Sequence, residues 1–142
     1  MSITVGTNSW ITLADAEIYF STRIGVTEWD ALATDEIKEK YLITAYNWIY
    51  YDSAFNVPAT STETAVKYGQ CEAALFLVSY YTDMDKHDAL IASGVNRFKY
   101  GEREEDLGSI TKPKSVIDFY SSVGMYSGGV AFFSVSNSET DY

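Results

Sequence analysis

The stretch from Glu63 to about Thr82 constrains the fold of this chain more than any other, because its second half, AALFLVSYY, is apolar on nearly every side of a helix. A helix of that kind is surrounded by other elements rather than laid on a surface. The rest of the chain must supply a shell around it, and 142 residues, 46% of them apolar, suffice for one compact domain of that design. The longest uninterrupted apolar run, Ala73 to Val78, falls far short of the roughly 20 residues that cross a bilayer, so no membrane role is expected.

Caps and periodicity mark the shell. Thr12 reads as an N-cap with Asp15 three residues on, and Leu13, Ala16, Phe20 and Ile24 fall on one stripe of a short helix that Gly25 ends. Trp29 and Leu32 are expected to pack a short turn onto the bundle. A second start lies at Thr34, with Asp35 and Glu36 where negative charge suits the helix dipole. Ile37, Tyr41, Leu42, Ala45, Trp48 and Ile49 then give a broad apolar face through about Tyr51. DSAFNVPATST is a loop, Ser61 or Thr62 caps the central helix, and DMDKHDALIASG extends it as a kinked or separate turn to Gly94. Pro113 suits the first position of a last helix over KSVIDFYSSV, with Val116, Ile117, Phe119 and Tyr120 buried and Gly124 as its stop.

Between Gly94 and that helix the period changes. Arg97 and Lys99 alternate with Phe98 and Tyr100, which predicts a β-hairpin over about 94–108. Residues 124–142 carry an apolar centre, VAFFSV, between polar flanks, with no partner strand visible in the sequence, and read as an extended C-terminal arm. The expected architecture is mainly α: a bundle of about four helices with a hairpin (1–123), followed by the arm (124–142).

Most catalytic chemistry lacks its residues here. His87 is the lone histidine, it sits among Asp83, Asp85, Lys86 and Asp88, and no GxSxG elbow accompanies it. The DMDKHD segment has Asp88 and Gly94 where a calcium loop needs Gly and Glu. No phosphate-cradling glycine motif occurs, and Cys71 is the only cysteine, which excludes an intrachain disulfide framework and a multi-cysteine metal site. The expectation is a buried thiol, no cofactor, no metal and no enzyme. The N-terminus has no basic start or apolar leader, so a cytosolic origin is expected.

Charge is more informative. The formal net charge is −10, which opposes wrapping nucleic acid over much of the surface. Residues 1–96 carry −8, while residues 97–114, with Arg97, Lys99, Arg103, Lys112 and Lys114, carry +1. The basic and aromatic residues of the hairpin suit a protein partner or stacked bases, or one packed and one solvated face. The tyrosines at 46, 50, 51, 80 and 81 suit either surfaces covered on assembly or the rim of the core.

The succession TLADAEIYFSTR, Trp29, DEIKEKYLITAYNWI, VKYGQCEAALFLV, SGVNRFKYGE and a proline-led last helix resembles the tailed-phage head-tail connector proteins, also called adaptors or head completion proteins and sometimes labelled DnaT-like. The resemblance covers roughly positions 8 to 123. Many relatives have a Trp-Pro loop where this chain has YYDSAFNVPATS, and many finish near the last helix. The resemblance implies a structural virion protein, assembled in the host cytoplasm, that forms a homo-oligomeric ring, typically of twelve copies, between the portal and a stopper or tail protein. Packaged DNA passes through without specific binding. Arg97, Lys99, Tyr100, Lys112 and Lys114 are the candidate portal or inter-subunit contacts, and Val130, Phe132, Phe133 and Val135 the candidate arm anchors. The alternative is a single-stranded nucleic-acid binding module, with Phe98 and Tyr100 as stacking platforms.

Overall fold

The computed structural model describes the backbone of residues 2–92 and 110–127, with side chains over 2–84 and 110–127. Within these the protein is mainly helical: α1 (Leu13–Ser21), α2 (Thr27–Asp30), α3 (Asp35–Tyr50), α4 (Thr64–Ala92) and α5 (Lys114–Ser122). The expected hairpin and all of the arm beyond Ser127 lie outside the described residues.

α4 is the axle. Val66, Cys71, Ala73, Ala74, Leu75, Leu77 and Val78 are buried, and α1, α2, α3 and α5 all pack against it. Small residues on α4 let its neighbours approach closely. The Cβ-less face of Gly69 lies against the Cε2 edge of the Tyr120 ring from α5, whose hydroxyl donates to the carbonyl of Val66 at 2.9 Å. α4 runs unbroken to Ala92, so the segment read as a kinked or separate turn is the continuation of the same helix.

The caps follow the local chemistry. Thr12 Oγ1 accepts from the Asp15 amide at 3.1 Å, and Thr34 Oγ1 from the Ile37 amide at 3.2 Å, each satisfying a donor that the first helical turn leaves free. Ser61 Oγ accepts from the Glu63 amide ahead of α4. Pro113 occupies the N-cap of α5, at ψ 156°, one position earlier than expected, because its extended backbone turns the chain into the helix. α1 stops at Ser21, where Thr22 turns back and bonds Tyr19 through backbone and hydroxyl. Ile24 therefore lies beyond the helix and 90% exposed, not on the buried stripe expected of it.

Two segments close the core. The N-terminal loop reverses at Gly6, at φ +90°, and delivers Trp10 into the interior, where its indole N–H donates to the Pro58 carbonyl at 2.9 Å. Past α5, Gly124 reverses the chain at φ +75°, and Met125–Ser127 pair with the loop after α3 through Asn56 N–H to Met125 O at 2.8 Å and Ser127 N–H to Ala54 O at 2.9 Å. The beginning of the presumed arm thus has a partner within the chain, one too short to show as an alternating pattern.

Candidate assembly site

Two polar clusters organise the surface of the bundle. In the first, Glu72 projects from α4 with only 5% of its side chain exposed. Arg23 grips it with both arms of its fork, Nε to Oε2 at 2.7 Å and Nη2 to Oε1 at 2.9 Å, and the Tyr19 hydroxyl also donates to it. Burial alone would raise the carboxyl's pKa. The Arg23 and Tyr19 hydrogen bonds and the Arg23 charge outweigh that effect and hold it below the usual range. Burial and the adjacent carboxylate push the Tyr19 phenol upward. The same guanidinium donates to the Ile24 carbonyl through Nη1, so the turn carrying Ile24 is fastened to the central helix.

The second cluster is a clasp. Lys112, 5% exposed, donates to Asp52 Oδ2 at 2.7 Å, and its ammonium lies 4.5 Å from the Trp48 ring and 5.2 Å from that of Phe55. Burial raises the Asp52 pKa, while the bonds from Lys112 and the Ala54 amide lower it further than burial lifts it. The loop after α3 therefore holds the start of α5 through Asp52 and the end of the described chain through Ala54 and Asn56.

These geometries sort the residues singled out by sequence. Lys112 is spent inside the protein, whereas Lys114 is exposed and paired with Asp118 one turn along α5 at 2.7 Å. The two lysines are not brought together as one basic face. Arg97, Lys99, Tyr100, Val130, Phe132, Phe133 and Val135 lie outside the described residues, as does the His87 side chain. Among the described residues no group of three or more His, Cys, Asp or Glu is placed to hold a metal, and no helix is long and apolar enough to cross a membrane. Cys71 is buried, and burial raises its thiol pKa, which removes the thiolate that nucleophilic chemistry needs.

Beyond these two clusters, the described surface carries several exposed apolar side chains. Comparison with protein-family models, curated proteins and solved structures finds no match.

The exposed apolar side chains lie on several elements. Ile24 stands on the α1–α2 turn, and Tyr51, 77% exposed, ends α3 with Tyr50 edge-on against it. Ile18, 66% exposed, lies on α1, and Tyr68 on α4 sits between Tyr19 and Phe119. A groove of about 310 Å³ opens between α3 and α4, lined by Ile37, Lys40, Tyr41, Thr44 and Tyr81. Arg23, Glu72 and Asp52 were not singled out from the sequence. Glu72 carried a usable clue, since one acid inside an apolar helix must find a cationic partner or stay costly. Nothing local pointed to Arg23 as that partner.

Proposed function

We propose that this protein is a head-tail adaptor of a tailed bacteriophage, a non-enzymatic neck subunit that rings the exit below the portal and joins it to a stopper or tail protein. The observation that carries this reading is the combination of a cross-braced helical body with large apolar residues exposed on α1, on the α1–α2 turn, at the end of α3 and on α4. A subunit that repeats head to tail needs two different complementary patches, and a catalyst needs neither. The strongly acidic composition suits a channel through which DNA must slide, because it offers repulsion in place of a salt-sensitive binding track. The reading rests as well on the resemblance of the sequence over roughly positions 8 to 123 to the head-tail connector proteins.

The test is an electron-microscopic image of the purified protein mixed with portal-bearing heads of its phage. The reading expects a ring of this protein on the portal vertex, and heads that stay bare refute it. Replacing Phe132 and Phe133 together by serine is expected to leave the described body folded, by circular dichroism, while joining of heads to tails is lost. Salt-dependent binding to a single-stranded oligonucleotide at neutral pH would favour the nucleic-acid module instead.

A further inference from the structure

The chain past α5 is fastened to the body by contacts that neither side needs for its own closure. α5 ends within itself: Gly124, at φ +75°, donates its N–H to the Ser121 carbonyl at 3.0 Å, and Met125 donates to that of Tyr120 at 2.9 Å. With this pair of bonds a glycine closes a helix, so the end of α5 is complete before Tyr126 is reached. The loop after α3 is braced as independently. Asp52 accepts from Lys112 at 2.7 Å and from the Ala54 amide at 2.9 Å, and its carbonyl accepts from the Phe55 amide at 2.9 Å.

Between these two finished pieces lies a short strap. Phe55 and Tyr126 face each other in an antiparallel bridge, flanked by the Asn56 and Ser127 hydrogen bonds, with ring centroids 4.8 Å apart. Asn56 and Ser127 are exposed, so water reaches the bridge from outside. Tyr126 is also one wall of a hollow of about 200 Å³ that Ile110, Lys112 and Ile117 help to line. The loop thus presents a preformed strand edge, with one N–H, one C=O and an aromatic side chain, and the strap fills it as an added strand fills the edge of a sheet. Two backbone bonds and one ring contact open at far lower cost than the helical body.

Whatever fits that edge in one copy fits it in every copy. The strap of a second copy brings the same Met125 carbonyl, the same Tyr126 ring and the same Ser127 amide, and exchange replaces each contact by its equal. We infer that in the assembled protein Tyr126 and Ser127 of one copy occupy the Ala54–Asn56 edge of the next, whose own strap passes on to the copy after it. This rests on the ring reading above and names the surface the ring uses. Strap and edge are different surfaces, so the bond is heterologous, and repeated from copy to copy it closes a ring or runs on as a filament.

The test uses two single variants, Ala54→Cys on the edge and Ser127→Cys on the strap. The two positions oppose each other beside the bridge, at about 5.5 Å between Cα atoms, within disulfide reach. The native Cys71 is buried. Concentrated, mixed in equal amounts and oxidised, the variants are expected to give a disulfide dimer that neither gives alone, because only a strap from one and an edge from the other bring the two thiols together. Tyr126→Ala separates exchange from chance collision. Added to the Ser127→Cys variant it weakens the donor strap and should lower the dimer about tenfold, on the order of one lost aromatic contact. Added to the Ala54→Cys variant it vacates the acceptor edge and should raise the dimer instead. Absence of the mixed dimer from variants that keep their circular dichroism, or the same effect from both placements of Tyr126→Ala, overturns the exchange. If the protein still rings the portal while no mixed dimer forms, the exchange falls and the adaptor reading stands. A mixed dimer with opposite responses, in protein that never decorates heads, upholds the exchange and removes the adaptor reading.

Discussion

Gly69→Ala is the substitution whose outcome the packing of α4 against α5 specifies most directly. In an isolated helix the change is favourable by about 1 kcal/mol, because glycine loses more backbone freedom than alanine. Here the added methyl would meet the Tyr120 ring edge-on, 2.9 Å from Cζ and 3.1 Å from Cδ2, and closer still to Cε2. The ring cannot retreat easily. It is fully buried, its centroid is 5.3 Å from that of Phe55 and 6.2 Å from that of Trp10, and its hydroxyl is tied to Val66. Forcing a methyl into a filled core costs typically 1–3 kcal/mol, and this site belongs near ~3. Subtracting the helix-propensity gain leaves a net loss of about 2 kcal/mol, read as a lower urea midpoint at unchanged slope in circular dichroism at 222 nm. The decisive comparison repeats the change in a Tyr120→Leu background, where the clash is gone and Gly69→Ala should become neutral or stabilising by about 1 kcal/mol. Full stability of the single variant, or a penalty that persists once the ring is removed, would refute the packing argument.

Acid should destabilise the body through Glu72 and Asp52. Their folded pKa values lie below the ordinary ones, so the unfolded chain binds more protons as pH falls; the contribution is complete above about pH 4–5 and is lost as pH drops through the folded values. Glu72→Gln should flatten that acid limb in urea titrations at a series of pH values and, because Arg23 is 37% exposed and can rehydrate, cost about 1–2 kcal/mol at neutral pH rather than the full penalty of a broken buried pair. Thr34→Ala removes the side-chain acceptor at the start of α3 and should lower stability by about 1 kcal/mol in the same assay, while Thr34→Ser should be close to neutral.

Local chemistry made much of the helical frame legible. The caps at Thr12 and Thr34 and the all-round apolar character of α4 are properties of neighbouring residues, and the protein places them as the sequence reading expected. Tyr46 and Tyr50 divide the tyrosine question between them. The first is buried against Trp10 and the second stacks on it at the rim, so one helix end serves both the core and the surface.

What depended on distant partners was not legible. Trp10 is inside because Pro58 and Gln70, far along the chain, receive its indole and its amide. Lys112 is expected from the sequence among the portal or inter-subunit contacts, and it is buried because Asp52, Trp48 and Phe55 converge on it. Ile24 fitted a helical stripe by spacing, yet Thr22 ends the helix before it and Arg23 turns the chain toward Glu72. Periodicity and capping act over a few residues, so the order of amino acids alone determined where α1 and α3 start and which helix lies at the centre. Ion pairing, aromatic enclosure and the exposure of a single isoleucine arise between segments some fifty to sixty residues apart, and only the folded chain decides which of those segments meet.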